Sequence, residues 1–274
     1  MKLSGKILSG WLLVGIATSF LGCDRVDQAE STKMPMVQLS AEEWRTLLAR
    51  RVVFGHQSVG QNILEGVQTL ASQAGVKLPV VKLADSAGTD NQGFFHFFVG
   101  QNEDPSSKLQ DFAKAFESGK AKGADVALVK FCYLDFSEKS NARALAEQYG
   151  GTLDHLSQKF PETRFVAVTA PLTVVQTGPK AWVKRLLGRT PSGLADNLRR
   201  REFNDLIRER YSKENRVFDL AKIESEGVGP HEYEKRQIEV LNPNYTYDDG
   251  HLNQQARELV ASHLLKYLAS MPLN

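Results

Sequence analysis

Three side-chain types that together perform acyl transfer occur in this chain of 274 residues. Ser58 stands in "VVFGHQSVGQNILEGV", where an apolar run ends in Gly55 and a helix-like pattern begins. Asp248, Asp249 and His251 stand in "YDDGHLN", just before the last helix-like pattern. A histidine can take the proton of a serine hydroxyl, and a carboxylate can hold the imidazole in the required tautomer. The alternative is that these serine and aspartate side chains only cap helices and turns.

The segments between these residues predict a sheet that would bring them together. Apolar runs typical of buried strands begin at Val52, Pro79, Asp125, Arg164 and Arg216, and helix-like patterns cover 61–73, 106–120, 142–159, 194–211 and 253–268. Another helix is expected after Ser40, which forms a capping box with Glu43, and a long loop is expected at 85–105. This alternation predicts one three-layer α/β/α sandwich with a mainly parallel five-stranded sheet. Ligands bind such sheets beyond the carboxyl ends of the strands, where Ser58 falls.

The chain resembles the SGNH, or GDSL-type, hydrolases over about 52–268. The resemblance rests on the Gly-to-Ser turn in "FGHQSVG", on Asp-x-x-His followed by Leu-Asn in "DDGHLN", and on the order of the α/β units. It implies the flavodoxin-like fold of that superfamily, without a cofactor. It also implies that Ser58 is the nucleophile, His251 the base and Asp248 the acid that orients the base. Asp249 is then a spare acid.

Two blocks depart from the family's pattern. Its Gly-Asp-Ser reads Gly-His-Gln-Ser here, and its third block, Gly-x-Asn-Asp, reads "CYLD" at 132–135. The asparagine that donates to the oxyanion in the family is therefore missing from that block, and losing one such donor typically costs about 10²–10³ in rate. The segment "VGQNEDP" offers Gly100 and Asn102 as substitutes, and Gly93 is a second candidate for the glycine donor.

Several other side chains lie close to the same strand ends. The candidates for lining a substrate pocket are His56, Gln57, Tyr133 and Asp135. Alternatively, His56 bonds a loop carbonyl, and Asp135 either holds loops together or lies in solvent. Cys132 is interpreted as a buried strand residue, because free cysteine packs as a small hydrophobe, and a cysteine nucleophile is the alternative. The six histidines lack HxH or HExxH spacing, so no metal site is predicted.

The first residues have the layout of a bacterial export signal. Two lysines precede an apolar run at 7–21, which is shorter than the ~20 residues of a spanning helix. The pair Gly22-Cys23 resembles a lipobox, which implies that 1–22 is removed and that Cys23 is lipidated. An ordinary secretory signal or an uncleaved anchor is the alternative. Residues 23–39 are interpreted as a flexible tether and 40–274 as the hydrolase domain.

Charge and location narrow the expected function. A formal net charge of +2 is too balanced to suggest nucleic acid as the main partner, and the basic runs "RRREF" and "KRLLGR" are interpreted as solvated helix faces. We expect an exported serine esterase, held by lipid in the periplasm or at the cell surface. It would remove a small acyl group, such as acetyl, from a glycan or another acylated small molecule. Two alternatives stay open, namely acyl transfer to a glycan by the same residues and a glycan-binding lipoprotein without catalysis.

Overall fold

The computed structural model describes residues 35–85 and 92–272. The predicted signal segment and Cys23 lie outside the described residues. In the described part of the chain, no helix is long and apolar enough to cross a membrane. The end of the predicted tether packs on the domain, since the backbone N–H of Val37 donates to Ser262 Oγ at 3.2 Å.

A parallel sheet forms the middle layer. Among the described residues it has six strands, in the spatial order β2 (Val80–Lys82), β3 (Gly93–Phe98), β1 (Arg51–His56), β4 (Val126–Val129), β5 (Arg164–Val168) and β6 (Val217–Phe218). A separate antiparallel hairpin joins β7 (His231–Tyr233) to β8 (Arg236–Ile238). The α/β class and the parallel sheet are confirmed. The connection after β1 runs towards β2 on one side of the sheet, and the connection after β4 runs towards β5 on the other. The carboxyl ends of β1 and β4 therefore flank the topological switch point, where ligands bind in such folds.

The strand that the sequence did not predict is β3, which lies within the expected loop at 85–105. Its segment "GFFHFF" is short, and the glycine and polar residues on both sides are typical of a loop. Successive side chains enter opposite cores: Phe94 packs on one face of the sheet and Phe95 on the other. The sheet therefore has one strand more than the predicted five.

Helices cover both faces of the sheet. They are α1 (Ala41–Leu48), α2 (Ser58–Gln73), α3 (Pro105–Glu117), α4 (Ala142–Lys159), α5 (Gly178–Leu186), α6 (Leu194–Tyr211), α7 (Leu220–Glu224) and α8 (Gln254–Ser270). Short 3₁₀-helices occupy Leu83–Asp85, Tyr133–Asp135, Ser212–Glu214 and Pro243–Tyr245. The capping box at α1 is confirmed, because Ser40 Oγ accepts from the Glu43 N–H at 3.2 Å and Glu43 Oε2 accepts from the Ser40 N–H at 2.8 Å.

The hydrophobic core has two large parts, one on each face of the sheet. One part joins β1 to α1, α2 and α8, and the other joins the sheet to α3, α4 and α6. Each fully buried leucine or phenylalanine contributes about 1.5–3 kcal/mol to the free energy of unfolding. Among the residues that the structure describes, those of the core lie between Leu39 and Met271. A chain that begins at Asp24 therefore contains the whole core.

Candidate active site

Ser58, His251 and Asp248 form a continuous hydrogen-bonded chain. Ser58 Oγ lies 2.9 Å from His251 Nε2, and His251 Nδ1 lies 2.6 Å from Asp248 Oδ2. This is the arrangement of a nucleophile, its base and an orienting acid. Asp249 takes no part in these hydrogen bonds. Its backbone is left-handed (φ 71°), and its carbonyl accepts from the Val174 N–H at 2.9 Å. The structure therefore pairs His251 with Asp248 rather than with Asp249.

The turn that carries His251 also stabilises the ionised form of Asp248. Asp248 Oδ1 accepts from the backbone N–H of His251 at 2.8 Å and of Gly250 at 3.2 Å. Burial opposes the charged form, but hydrogen bonds from the His251 N–H, the His251 ring and the Gly250 N–H prevail and lower the pKa of Asp248 to about 2. The ionised carboxylate accepts a hydrogen bond from the N–H at Nδ1 of His251. In that tautomer Nε2 carries a lone pair and can accept the proton of Ser58.

Ser58 is not the cap of α2. The N-cap position belongs to Gln57, whose side chain instead donates to the carbonyls of Val99 at 2.6 Å and Gly100 at 3.1 Å. The first backbone hydrogen bond of α2 runs from the Gln61 N–H to the Gln57 carbonyl at 3.2 Å. In the part of the chain that the structure describes, the N–H groups of the turn before Gln61 have no partner. An oxyanion beside Ser58 would meet these donors at the positive end of a 16-residue helix.

Close helix packing fixes the distance between Ser58 and His251. A Cβ on Gly66 of α2 would lie 2.2 Å from the Arg257 carbonyl oxygen of α8, so the two helices approach as only glycine allows. At the start of α8, the Leu252 N–H donates to the buried Asn62 Oδ1 of α2 at 3.2 Å. The helix that begins with Ser58 and the turn that carries His251 are thus joined as one packed unit.

Among the predicted oxyanion donors, Asn102 stays a prediction, whereas the N–H groups of Gly93 and Gly100 have other partners. Gly93 begins β3 and so lies at the amino end of that strand, away from Ser58. Its N–H donates to the carbonyl of Arg50, just before β1, at 2.7 Å. The Gly100 N–H donates to Asp111 Oδ2 at 2.8 Å. Asn102 uses its side-chain oxygen to accept from Lys108 at 3.2 Å, so its amide N–H₂ stays available. The predictions for Gly93 and Gly100 are therefore wrong.

His56 is a core residue and does not line a pocket. It is fully buried, with Nδ1 2.8 Å from the Gln57 carbonyl oxygen and Nε2 3.0 Å from His96 Nδ1. Burial, helped by the nearby ring of His96 and the charge of Lys130, lowers the pKa of His56 to about 3, so the ring is neutral at neutral pH. A Cβ on Gly60 would lie 2.3 Å from His56 Cβ, so the ring packs directly under the first turn of α2. Its role is to support that turn.

Asp135 holds loops together, as one of the two predicted alternatives stated. It forms a buried ion pair with Lys108 at 2.6 Å, with both side chains fully shielded from solvent. It also accepts from the Cys132 N–H at 2.7 Å and the Glu103 N–H at 2.9 Å. These bonds tie the segment after β3 to the segment after β4. Cys132 is itself buried, in keeping with its predicted packing role.

Sequence reasoning missed Arg200, which lies in the run "RRREF". The side chain is 3% exposed and donates to the Tyr133 carbonyl at 2.9 Å and to Thr173 Oγ1 at 2.9 Å. The signal in the sequence was the spacing of Asn197, Arg200 and Asn204, which puts three polar residues on one helix face, here the buried one. Arg200 therefore anchors the turn that carries Tyr133.

A cavity with a mixed polar and apolar lining opens beside Asp248. It has a volume of about 580 Å³ and is lined by the segments 133–134, 173–177 and 248–250, with Lys180, Ser192 and Asp196 at its sides. The Tyr133 ring forms one wall and packs edge-on against His251, with 5.7 Å between the ring centroids. Burial, with the nearby Cys132 and Asp248, raises the pKa of Tyr133, so its hydroxyl keeps its proton and can donate to a ligand. Among the described residues, no cluster of His, Cys, Asp and Glu could hold a metal ion.

Comparison with known proteins gives structural matches alone: neither a family model nor a curated protein matches the sequence. The chain is similar to a protein provisionally described as a GDSL-like lipase from Parabacteroides merdae, with 12% identity over 85% of this chain and 99% of that chain, at a TM-score of 0.49. It is also similar to the psychrotrophic esterase EstA from Pseudoalteromonas sp., with 8% identity over 79% of this chain and 95% of that chain, at a TM-score of 0.44. At this identity and overlap the matches carry no argument about the reaction, which rests on the geometry of the site.

Proposed function

We propose that this protein is a serine esterase that removes a small acyl group, such as acetyl, from a hydroxyl of a carbohydrate. The observation that carries the proposal is the unbroken chain from Ser58 Oγ through His251 to Asp248, with distances of 2.9 Å and 2.6 Å. Serine is a poor nucleophile without a base, and this chain supplies one. Export and a lipid at Cys23, which the sequence indicates, complete the proposal.

The reaction proceeds in two balanced halves. Ser58 Oγ bonds to the ester carbonyl carbon while its proton moves to His251 Nε2. The tetrahedral oxyanion is stabilised by N–H groups at the start of α2, helped by the Asn102 amide. When the intermediate collapses, the bond to the alcohol breaks and the alcohol leaves with the proton from His251. Water then attacks the acyl carbon, gives its proton to His251, and releases the carboxylic acid while Ser58 regains its proton.

The lining of the cavity supports a polar alcohol portion of the substrate. Hydroxyl, amide and charged side chains surround the 580 Å³ space, including Thr173, Gln176 and Ser192. Such groups pair with the hydroxyls of a sugar, whereas a long acyl chain would need an apolar tunnel. The same cavity admits a sugar in place of water in the second half-reaction, which would make the protein an O-acyltransferase. A glycan-binding protein without catalysis is the third candidate, because the family's asparagine is missing.

The test is covalent labelling of the chain from Asp24 to Asn274 with a fluorophosphonate, read by intact mass. We expect one adduct on the wild type and none on Ser58→Ala or His251→Ala. Ser270→Ala, which removes a serine from the exposed end of α8, is the matched control and should label normally.

Each result separates the candidates. A folded wild type that stays unlabelled would refute the esterase and leave glycan binding, to be measured as affinity. A labelled wild type that converts acetylated glycans to free acetate supports hydrolysis. A labelled wild type that releases acetate only by passing it to an added oligosaccharide would replace the esterase by the acyltransferase.

A further inference from the structure

Helix α5 presents apolar side chains to solvent instead of to the core. Trp182, Val183, Leu186 and Leu187 are 62%, 47%, 65% and 66% exposed. Within α5, Ala181 is the one buried residue. Soluble proteins seldom leave so many large apolar side chains together and uncovered, and such patches mark interaction sites.

The helical period places these residues on one side. At about 100° per residue, Trp182, Val183 and Leu186 share a face that Leu187 extends at the helix end, and Ala181 lies opposite, against the body of the domain. By the same period, Lys180 and Arg185 border the two edges of the apolar face. The helix is therefore amphipathic with its apolar side turned outward.

Basic residues dominate the segment around α5, whereas Asp196, Asp248 and Asp249 line the cavity that Lys180 also borders. The sequence from 163 to 195 contains no aspartate or glutamate, whereas Lys180, Lys184, Arg185 and Arg189 fall within or just after α5. Lys184 donates to Ser192 Oγ at 2.8 Å. The segment offers the other basic side chains no acidic partner of its own. Tryptophan and leucine flanked by lysine and arginine are typical of helices that lie in a membrane interface.

We propose that α5 docks the domain on an anionic lipid surface, with Trp182 and Leu186 at the level of the headgroups. The basic side chains at the edges would then meet lipid phosphates, which attract lysine and arginine near a bilayer. A second copy of this chain is a poor occupant, because a symmetric contact would bring the basic residues of both copies together. The proposal goes beyond the esterase reaction and holds for any substrate. Since Lys180 also lines the cavity beside Asp248, a docked α5 places that cavity next to the membrane.

Tryptophan fluorescence tests the proposal directly. A chain from Asp24 to Asn274 holds two tryptophans: Trp182 on α5 and the buried Trp44, which is 8% exposed and serves as an internal reference. Vesicles of equal parts phosphatidylcholine and phosphatidylglycerol should shift the emission of Trp182 to shorter wavelength. Brominated lipids should quench Trp182 and leave Trp44 unchanged.

Paired variants separate the apolar and basic contributions. We expect Leu186→Glu with Leu187→Glu to abolish vesicle binding, and Leu48→Glu on the exposed side of α1 to leave it unchanged. Arg185→Gln with Arg189→Gln should weaken binding about 30-fold, at about fivefold for each basic side chain near such a surface. The matched pair Arg45→Gln with Arg143→Gln removes the same charge from other exposed positions and should have no effect.

Three results would overturn the proposal. The first is a wild type that sediments with neither anionic nor zwitterionic vesicles. The second is a Leu186→Glu, Leu187→Glu variant that binds vesicles as the wild type does. The third is a wild type that elutes as a dimer, becomes monomeric with that variant and ignores vesicles, which would make α5 an interface between copies of the chain. Fluorophosphonate labelling of the same samples reports separately on the esterase site, so the two proposals can fail independently.

Discussion

Replacing Asp248 by asparagine should remove catalysis and leave the fold nearly intact. The amide keeps the size of the carboxylate, and its oxygen can still accept from the N–H groups of His251 and Gly250. Its nitrogen, however, can face Nδ1 of His251, where it donates a proton and selects the tautomer that carries hydrogen on Nε2. In that tautomer Nε2 has no lone pair to receive the proton of Ser58, so the serine is no longer activated.

The expected loss of kcat is large, whereas the expected loss of unfolding free energy is small. Loss of the correct tautomer in a serine–histidine–carboxylate site typically lowers kcat by about 10⁴-fold. The stabilisation of the fold is small, because the Asp248 side chain is 54% exposed. Its pKa falls from 3.8 to about 2, and after a discount for solvent screening this is worth about 1 kcal/mol of unfolding free energy. That contribution is present above the usual pKa and is lost as pH falls from 3.8 towards 2.

The assay is kcat/KM on an aryl acetate together with urea unfolding at neutral and acidic pH. Asp249→Asn is the matched control, because asparagine also tolerates the left-handed backbone at that position, and it should lie within a few-fold of the wild type. Asp248→Asn activity within tenfold of wild type would refute the orienting role. A drop of several kcal/mol in unfolding free energy would instead show that the residue acts through folding.

Two further substitutions test the supports of the site. Gly60→Ala would place a methyl group 2.3 Å from His56 Cβ, so we expect a loss of about 1–3 kcal/mol in unfolding free energy and lower kcat, because Ser58 lies in the same helical turn. Gly151→Ala, on the open side of α4, should stabilise by up to about 1 kcal/mol in the same urea titration, and a loss there would contradict the reasoning. Lys108→Met leaves a buried carboxylate unpaired and should cost about 3–5 kcal/mol. Lys159→Met breaks an exposed ion pair and should not move the urea midpoint.

Local patterns predicted most of the fold. The bounds of α4 (Ala142–Lys159) and α6 (Leu194–Tyr211) match the sequence prediction, and each helix is 18 residues long. The strand β3 was missed because its six residues lie between glycine-rich and polar segments. Helix α5 was not among the predicted helices, because its segment was interpreted from the basic run "KRLLGR" rather than from its apolar period.

The catalytic candidates could be predicted for a different reason. Ser58 follows a strand and His251 lies three residues after Asp248, so short stretches of sequence hold the chemical signal. The roles of His56, Gly93 and Gly100 could not be predicted, because each depends on which distant backbone group its hydrogen bonds reach. Arg200 shows the same limit, since its charge indicates solvent while its contacts lie in the interior.

The turn at 132–135 stands where the SGNH hydrolases that the sequence resembles have their asparagine-bearing block, and buried charges hold it in place. Lys108 donates to Asp135, the last residue of this turn, and Arg200 donates to the carbonyl of Tyr133 within it. Buried charges of this kind add little net stability compared with apolar packing, and we infer that here they set the position of the turn. What they position is Tyr133, which packs against His251 and walls the cavity. The turn therefore fixes the ring beside His251, and in the proposed reaction the N–H groups of the first turn of α2 would stabilise the oxyanion.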